Sequence, residues 1–362
     1  AFFIMKIGSG NYVEAVTQST FAAFIGMLAS MAVLAFYLWK TGMLTSILHK
    51  PANAGEINGR ALLWDTIREA IPFIITGSAI QLFQIIDQAT FIHVMGWISK
   101  YSKSELLVQF AYFSANPNKI TMILIAVATS IGGVGIPLLT ENYVKGDFRS
   151  AARLVQDNLS MLIFFILPAT IGAVLVAEPL YTVFYGKPDG LALGLFIFAM
   201  LQTIILSLYT VLAPMIQALF QNRKAIIYFL YGVGVKLVLQ VPLIYIFKAY
   251  GPLLATTIGL IIPILLMYRE IRQVTGLNPK NLFKRSLLSV ILTVLMTIFV
   301  LVAELLIGLF LHPSGRVSSF VYIALIGGIG LAVYGGLALK VRLMDRFIGS
   351  KAASLRRRFH IY

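Results

Sequence analysis

Nine apolar runs follow one another along the 362-residue chain, at about 17–39, 68–96, 118–141, 155–177, 191–219, 225–247, 251–268, 286–311 and 319–339. A helix rises about 1.5 Å per residue, so roughly 20 residues cross a hydrocarbon core of about 30 Å. Within that core the backbone must satisfy its own hydrogen bonds, which a helix does inside a single segment. The pattern predicts an all-α, polytopic helical membrane protein. The charge content agrees: 12% of residues are charged and 59% hydrophobic, where a soluble domain carries about 25% charged residues.

Several chemistries are excluded early. The chain has no cysteine, so it has no disulfide framework and no thiolate metal site. Its four histidines, His49, His93, His312 and His360, are too scattered to form a ligand pair. No phosphate-binding loop, dinucleotide fingerprint, HExxH zinc motif or nucleophile elbow is present. The reading is therefore not an enzyme, with no catalytic residue, no metal and no cofactor; a coupling ion or the membrane potential would supply energy.

Two linkers are longer than the rest. Residues 40–67 are expected to form a cytoplasmic amphipathic linker. Within Gly59–Arg68, Leu62, Leu63 and Ile67 can share one helical face while Arg60, Asp65 and Arg68 turn to water, which suits a short helix lying in the membrane interface. Residues 97–117 are polar and aromatic, and Ser104–Glu105 can start a short surface helix.

A net charge of +15 would suggest nucleic acid in a soluble protein, but here the basic residues are sorted by loop. The 40–68 and 142–154 loops, the pair Arg223–Lys224, the 269–285 loop and the tail hold 21 of the 29 Lys and Arg; the alternate loops hold only Lys100, Lys103, Lys119, Lys187, Lys248 and Arg316. The alternation never breaks across the nine runs, which places the richer side and the C-terminus in the cytoplasm. The expected location is the cell membrane, with no nucleic-acid partner. Residue 1 then falls outside, where Ala1–Lys6 reads like the end of another apolar run. The expected organisation is the C-terminal portion of a longer transporter: residues 1–39 as the last helix of an N-terminal lobe, 40–67 as the linker, 68–340 as a C-terminal bundle and 341–362 as a basic cytoplasmic tail.

Pro72, Pro137, Pro168, Pro214, Pro242 and Pro263 fall in six different runs. Each frees a carbonyl and favours a kink, and six kinked spans suit a moving transporter better than a rigid scaffold. Ala128, Gly132 and Gly135 form a small-residue face against which another helix can pack closely.

The stretch Gln81–Phe91, QLFQIIDQATF, places polar groups at membrane depth. Gln81, Gln84 and Gln88 share a helical face, and Asp87 borders it. Asp87 lies about 22 Å of helix rise beyond Pro72, and a lipid-facing aspartate would cost roughly 2.5–3.5 kcal/mol. The face must look into protein or into a wet cavity. Lys236, with Gln240 one turn later, and Glu304 also lie at depth. Two readings stand side by side: a structural pair of Lys236 with Asp87 or with Glu304, or a polar cavity in which Gln84, Asp87, Gln88, Lys236 and Gln240 meet a charged headgroup. A second candidate is Ser114–Lys119, where Asn116–Pro117 is expected to break the helix so that Asn118 and Lys119 open a new N-terminus facing an anion; the alternative is a plain cap with Lys119 snorkelling to the surface.

Gln81-x-x-Gln-x-x-Asp-Gln88, Pro117-Asn-Lys-Ile and Ser130-Ile-Gly-Gly-Val-Gly-Ile-Pro137-Leu-Leu-Thr together resemble the MurJ/SpoVB-type lipid II flippases of the multidrug/oligosaccharidyl-lipid/polysaccharide (MOP) exporter superfamily. Asn11–Gly26 is similar to that family's sixth helix, and the likeness runs along nearly the whole chain as helices six to fourteen. The resemblance implies a MATE-like fold of fourteen helices in two lobes around a central cavity, with most of the first lobe absent from this sequence. It also implies a lipid-linked cell-wall precursor as substrate, membrane lipids as surroundings and a headgroup that enters a hydrated cationic cavity while its tail stays in a groove beside the late helices. Gram-negative members carry a cavity arginine near the start of the eighth helix; here that place reads Asn116-Pro-Asn118-Lys119, so Lys119 is the nearest substitute. Flipping of lipid II by alternating access is the first function this implies. A flippase for another lipid-linked polysaccharide unit, a cation-coupled multidrug antiporter, and a scaffold that docks cell-wall synthases are the alternatives.

Overall fold

The computed structural model describes residues 12–43, 59–311, 313, 315–345, 349 and 356–357. Among them the secondary structure is helical throughout: α1 (Tyr12–Lys40), α2 (Gly59–Gly77), α3 (Ala79–Ile98), α4 (Lys103–Phe113), α5 (Ala115–Val144), α6 (Phe148–Leu175), α7 (Ala177–Tyr185), α8 (Gly190–Ala218), α9 (Asn222–Phe247), α10 (Gly251–Thr275), α11 (Pro279–Gly308) and α12 (Arg316–Lys340). The chain divides into two units, residues 1–67 and 68–362. In the first, α1 is a single long apolar helix. The part of the 40–67 linker between residues 44 and 58 lies outside the described residues, as do Ala1–Lys6 and most of the 341–362 tail.

Six helical stretches are long and apolar enough to cross a bilayer, seven when the bent pair α2–α3 counts as one span. The protein is an all-α, multi-pass membrane protein. Nine spans were expected, and the difference has two sources. One stretch, Asn222–Thr275, holds both α9 and α10, joined through the 3-10 turn Lys248–Tyr250 and packed along each other. In α1 the described apolar part is the shorter Phe24–Lys40.

In the second unit α8 is the central helix, packed against α5, α6 and α10 and buried on most of its surface. The small-residue face of α5 packs against both neighbours: a methyl added at Gly132 would meet the Val211 side chain of α8 at 3.3 Å, and one added at Gly135 would overlap Asn158 of α6. All six prolines sit inside helices. The outer helices invert the usual pattern of a soluble protein: Ile291, Val294, Ile298, Val302 and Leu305 of α11 are exposed, as expected where the surroundings are acyl chains.

Three local expectations change. The helix expected over Gly59–Arg68 does not stop there; α2 runs on through Pro72 to Gly77. The run 68–96 is then broken at Ser78, where α3 leaves α2 at 55°. The carbonyl of Thr76, beside the break, accepts from the Tyr209 hydroxyl at 3.1 Å, and the Thr76 hydroxyl accepts from Gln217 at 2.7 Å. Tyr209 of α8 thus satisfies a carbonyl that a straight helix would satisfy internally. Finally, Asn116–Pro117 breaks nothing. The helix α5 starts at Ala115 and Pro117 lies in its first turn, where a missing N–H is no loss. The short surface helix over 97–117 is α4, started by Ser102 rather than Ser104, through a capping box with Glu105.

Candidate functional site

The polar residues at depth converge where α3, α9 and α10 meet. What brings them together is the close approach of α9 to α10. A methyl on Gly232 would lie 2.4 Å from the Gly259 carbonyl oxygen, and one on Gly259 would lie 3.1 Å from Lys236 Cβ. Glycine at both positions lets α10 close over Lys236.

Lys236 is fully enclosed, at 0% exposure. Its ammonium donates to Asp87 Oδ1 at 2.7 Å and to Thr256 Oγ1 at 2.5 Å, and it stands 4.9 Å from the centre of the Phe83 ring. Gln240 donates from Nε2 to Asp87 Oδ1 at 2.8 Å and to Thr90 Oγ1 at 2.9 Å. A buried charge is tolerated when it is both paired and hydrogen-bonded, and this cluster supplies both. Of the two pairings open to Lys236, the structure makes the one with Asp87. Glu304, half-buried on α11, is not among its partners.

Asp87 also lines a small cavity of about 60 Å³. Gln84, Ser114, Asn118, Thr121, Gln202 and Thr256 form the rest of its polar wall, with Phe83, Phe113 and Leu206 on the apolar side. At 60 Å³ it has room for a few waters, each needing about 10–15 Å³, and none for a sugar headgroup. Its wall carries one carboxylate and neither lysine nor arginine. This small cavity is thus not itself cationic.

The expected site residues therefore separate into three groups. Gln84, Asp87 and Asn118 share the cavity. Lys236 and Gln240 stand behind Asp87 and hold it. Gln88 and Lys119 are exposed and lie outside the cavity; the Lys119 ammonium stands 4.9 Å from the Tyr185 ring centre. The start of α5 is tied to α7 instead, through Asn116, which donates to the Tyr181 hydroxyl at 2.7 Å and accepts from the Tyr185 hydroxyl at 2.9 Å.

Sequence reasoning missed Gln202, Thr121 and Thr256. Gln202 donates to the Leu253 carbonyl at 2.7 Å and to Thr257 Oγ1 at 2.9 Å, joining α8 to α10. As a lone amide inside an apolar run it carried the same signal as Gln84. The threonines carried none, because a membrane threonine commonly bonds a carbonyl of its own preceding turn, as Thr121 does to Asn118.

Comparison with known proteins adds two findings. A family model described as lipid II flippase MurJ matches residues 3–325. The curated lipid II flippase MurJ of Bacillus subtilis (strain 168) is 28% identical over 356 residues, covering 97% of this chain and 65% of that protein. The chain thus spans about two thirds of that relative's length.

Proposed function

Since the match over residues 3–325 makes this chain a member of the lipid II flippase MurJ family, we propose that it acts in moving undecaprenyl-pyrophosphate-linked peptidoglycan precursor, lipid II, across the cell membrane by alternating access. The observation that carries the reading is a charge-neutralised polar cluster, Asp87 with Lys236, Thr256 and Gln240, built into an apolar bundle beside a small polar-walled cavity. Polar groups at such depth are costly and mark a pathway or a working element.

In this reading Gln84, Asp87 and Asn118 form a hydrated lining, and Gln88 and Lys119 are polar contacts for the headgroup nearby. Lys236 and Gln240 act through Asp87 by fixing its carboxylate. An apolar groove of about 450 Å³ among α6, α11 and α12, walled by Phe164, Phe165, Met296 and Tyr334, suits an isoprenoid tail. The loop asymmetry supports a cytoplasmic C-terminus. The membrane potential or an ion gradient supplies the energy, and synthases that consume the product are the expected partners on the outer face.

The test is depletion of the protein followed by leaflet-resolved measurement of lipid-linked precursors. Lipid II is expected to accumulate on the cytoplasmic leaflet. Accumulation of another lipid-linked polysaccharide unit instead would reassign the substrate, and no accumulation at all would remove the transport reading.

A further inference from the structure

A second cavity, about 450 Å³, lies between the start of α6 and the α10–α11 connection, far along the sequence from the Asp87 cluster. Three guanidinium groups line it: Arg149 and Arg153 from the first two turns of α6, and Arg285 from the second turn of α11. Its polar wall is completed by Gln156, Thr275, Asn278 and Asn281.

The charges do not cancel. Arg285 donates to Asp157 at 2.5 Å, which occupies one of its edges. Asp147 caps α6; bonds from the side chain and amide of Ser150 hold its carboxyl below the usual carboxylate range, so it stays ionised and offsets a second charge. Against these two acids stand three arginines, with Lys280 and Lys284 exposed on the adjoining turns of α11. Among the described residues Arg149 and Arg153 form no ion pair. The amide at the start of α11 is already taken, since Asn278 Oδ1 accepts from Lys280 N–H. What the cavity offers is free guanidinium edges, not a helix end.

The level of the site matters as much as its charge. The apolar part of α6 begins near residue 155 and that of α11 near 286, so Arg285 and Arg153 stand at the edge of the hydrocarbon core and Arg149 nearly two turns outside it, at headgroup height. Arginine forks match the paired oxygens of a phosphate, and basic pockets between membrane helices at this height suit acidic lipid headgroups. We propose that this cavity binds the phosphate of an anionic phospholipid, with Arg149 and Arg153 as the principal contacts and Arg285, held by Asp157, as the third.

The purified full chain would be titrated with phosphatidylglycerol and, separately, phosphatidylcholine, and the first bound lipid quantified by native mass spectrometry. Arg149→Gln/Arg153→Gln is expected to weaken the first phosphatidylglycerol about tenfold. Arg223→Gln/Arg269→Gln removes equal charge elsewhere on the surface and should change it less than twofold. Arg153→Lys, which keeps the charge but loses the fork, should fall between the parent and the double variant. Phosphatidylcholine should bind more weakly than phosphatidylglycerol to the parent and equally to all variants. Equal losses in the two double variants, or equal binding of the two lipids to the parent, would overturn the proposal. Displacement of the lipid by millimolar inorganic phosphate would overturn the lipid assignment in favour of a soluble anion.

Discussion

Replacing Lys236 with methionine keeps most of the length of the side chain and removes its charge. In the structure that change deletes the bonds to Asp87 and Thr256 and the contact with the Phe83 ring. Asp87 retains Gln240 at 2.8 Å, a neutral donor. Because Lys236 is wholly enclosed and Asp87 meets only a cavity with room for a few waters, the remaining charge is poorly hydrated, and breaking a buried pair from one side costs up to about 3–5 kcal/mol. At roughly 2 °C per kcal/mol for a domain above 150 residues, the melting temperature in detergent should fall by about 5–10 °C. Asp87→Asn added to Lys236→Met removes the orphaned charge while leaving an acceptor for Gln240, so most of that loss should return. The expected coupling energy is at least 2 kcal/mol, large for a pair. Lys236→Met with Glu304→Gln serves as the control and should be additive. Transport is measured alongside: if the charges serve only to neutralise each other, the double variant flips precursor like the parent. If Asp87 also serves the cavity, the double variant is stable and slow. A Lys236→Met protein as stable as the parent, or one that Asp87→Asn fails to rescue, would refute the pairing argument.

Asp87→Leu should insert in the membrane but lose most flipping and melt lower, since it leaves Lys236 buried without its partner; full complementation in depleted cells would show the cluster dispensable. Gly232→Ala should destabilise the protein by about 1–3 kcal/mol or more, because its new methyl would lie 2.4 Å from the Gly259 carbonyl, and a melting curve identical to the parent would mean that α9 and α10 can separate freely. Tyr209→Phe should cost about 1–3 kcal/mol by leaving the Thr76 carbonyl without its donor, read as a fall in melting temperature. The chain has no cysteine of its own, so Lys187→Cys should react with an impermeant thiol reagent in intact cells and Gln273→Cys should not; the reverse pattern would invert the topology.

The membrane-spanning helices were legible because their signal is local. An apolar run of 25 to 30 residues such as α8 or α11 states its own length, and Asp189 and Asn278 announce the starts of those two helices by capping them. The bend at Ser78 was not legible. Pro72 drew attention as the breaker, yet the helix continues through it, and the group that stabilises the true break, Tyr209, is 133 residues away from Thr76. The same distinction runs through the site. Asp87, Lys236 and Gln240 stood out as polar residues where polarity is costly. Which acid Lys236 would choose depended on helix packing set by Gly232 and Gly259, and no spacing rule connects α3 to α9. Gln88 illustrates the limit of a face argument: it shares a helical face with Gln84, but α3 turns only part of that face toward α5 and α8.

The break between α2 and α3 has a mechanical consequence. A methyl added at Gly77 would touch nothing within 4 Å, so the glycine is not there to make room; it leaves the backbone free to turn. With Ser78 as pivot, α3 is a rigid arm about 30 Å long on which Asp87 rides about 13 Å out. A 10° swing would carry the tip roughly 5 Å but Asp87 only about 2 Å. That smaller travel is still enough to pull apart a contact of 2.7 Å. The ion pair therefore ties α3 to α9 a little under halfway along the arm, and a swing of α3 must either carry α9 and α10 with it or break the Lys236 contact.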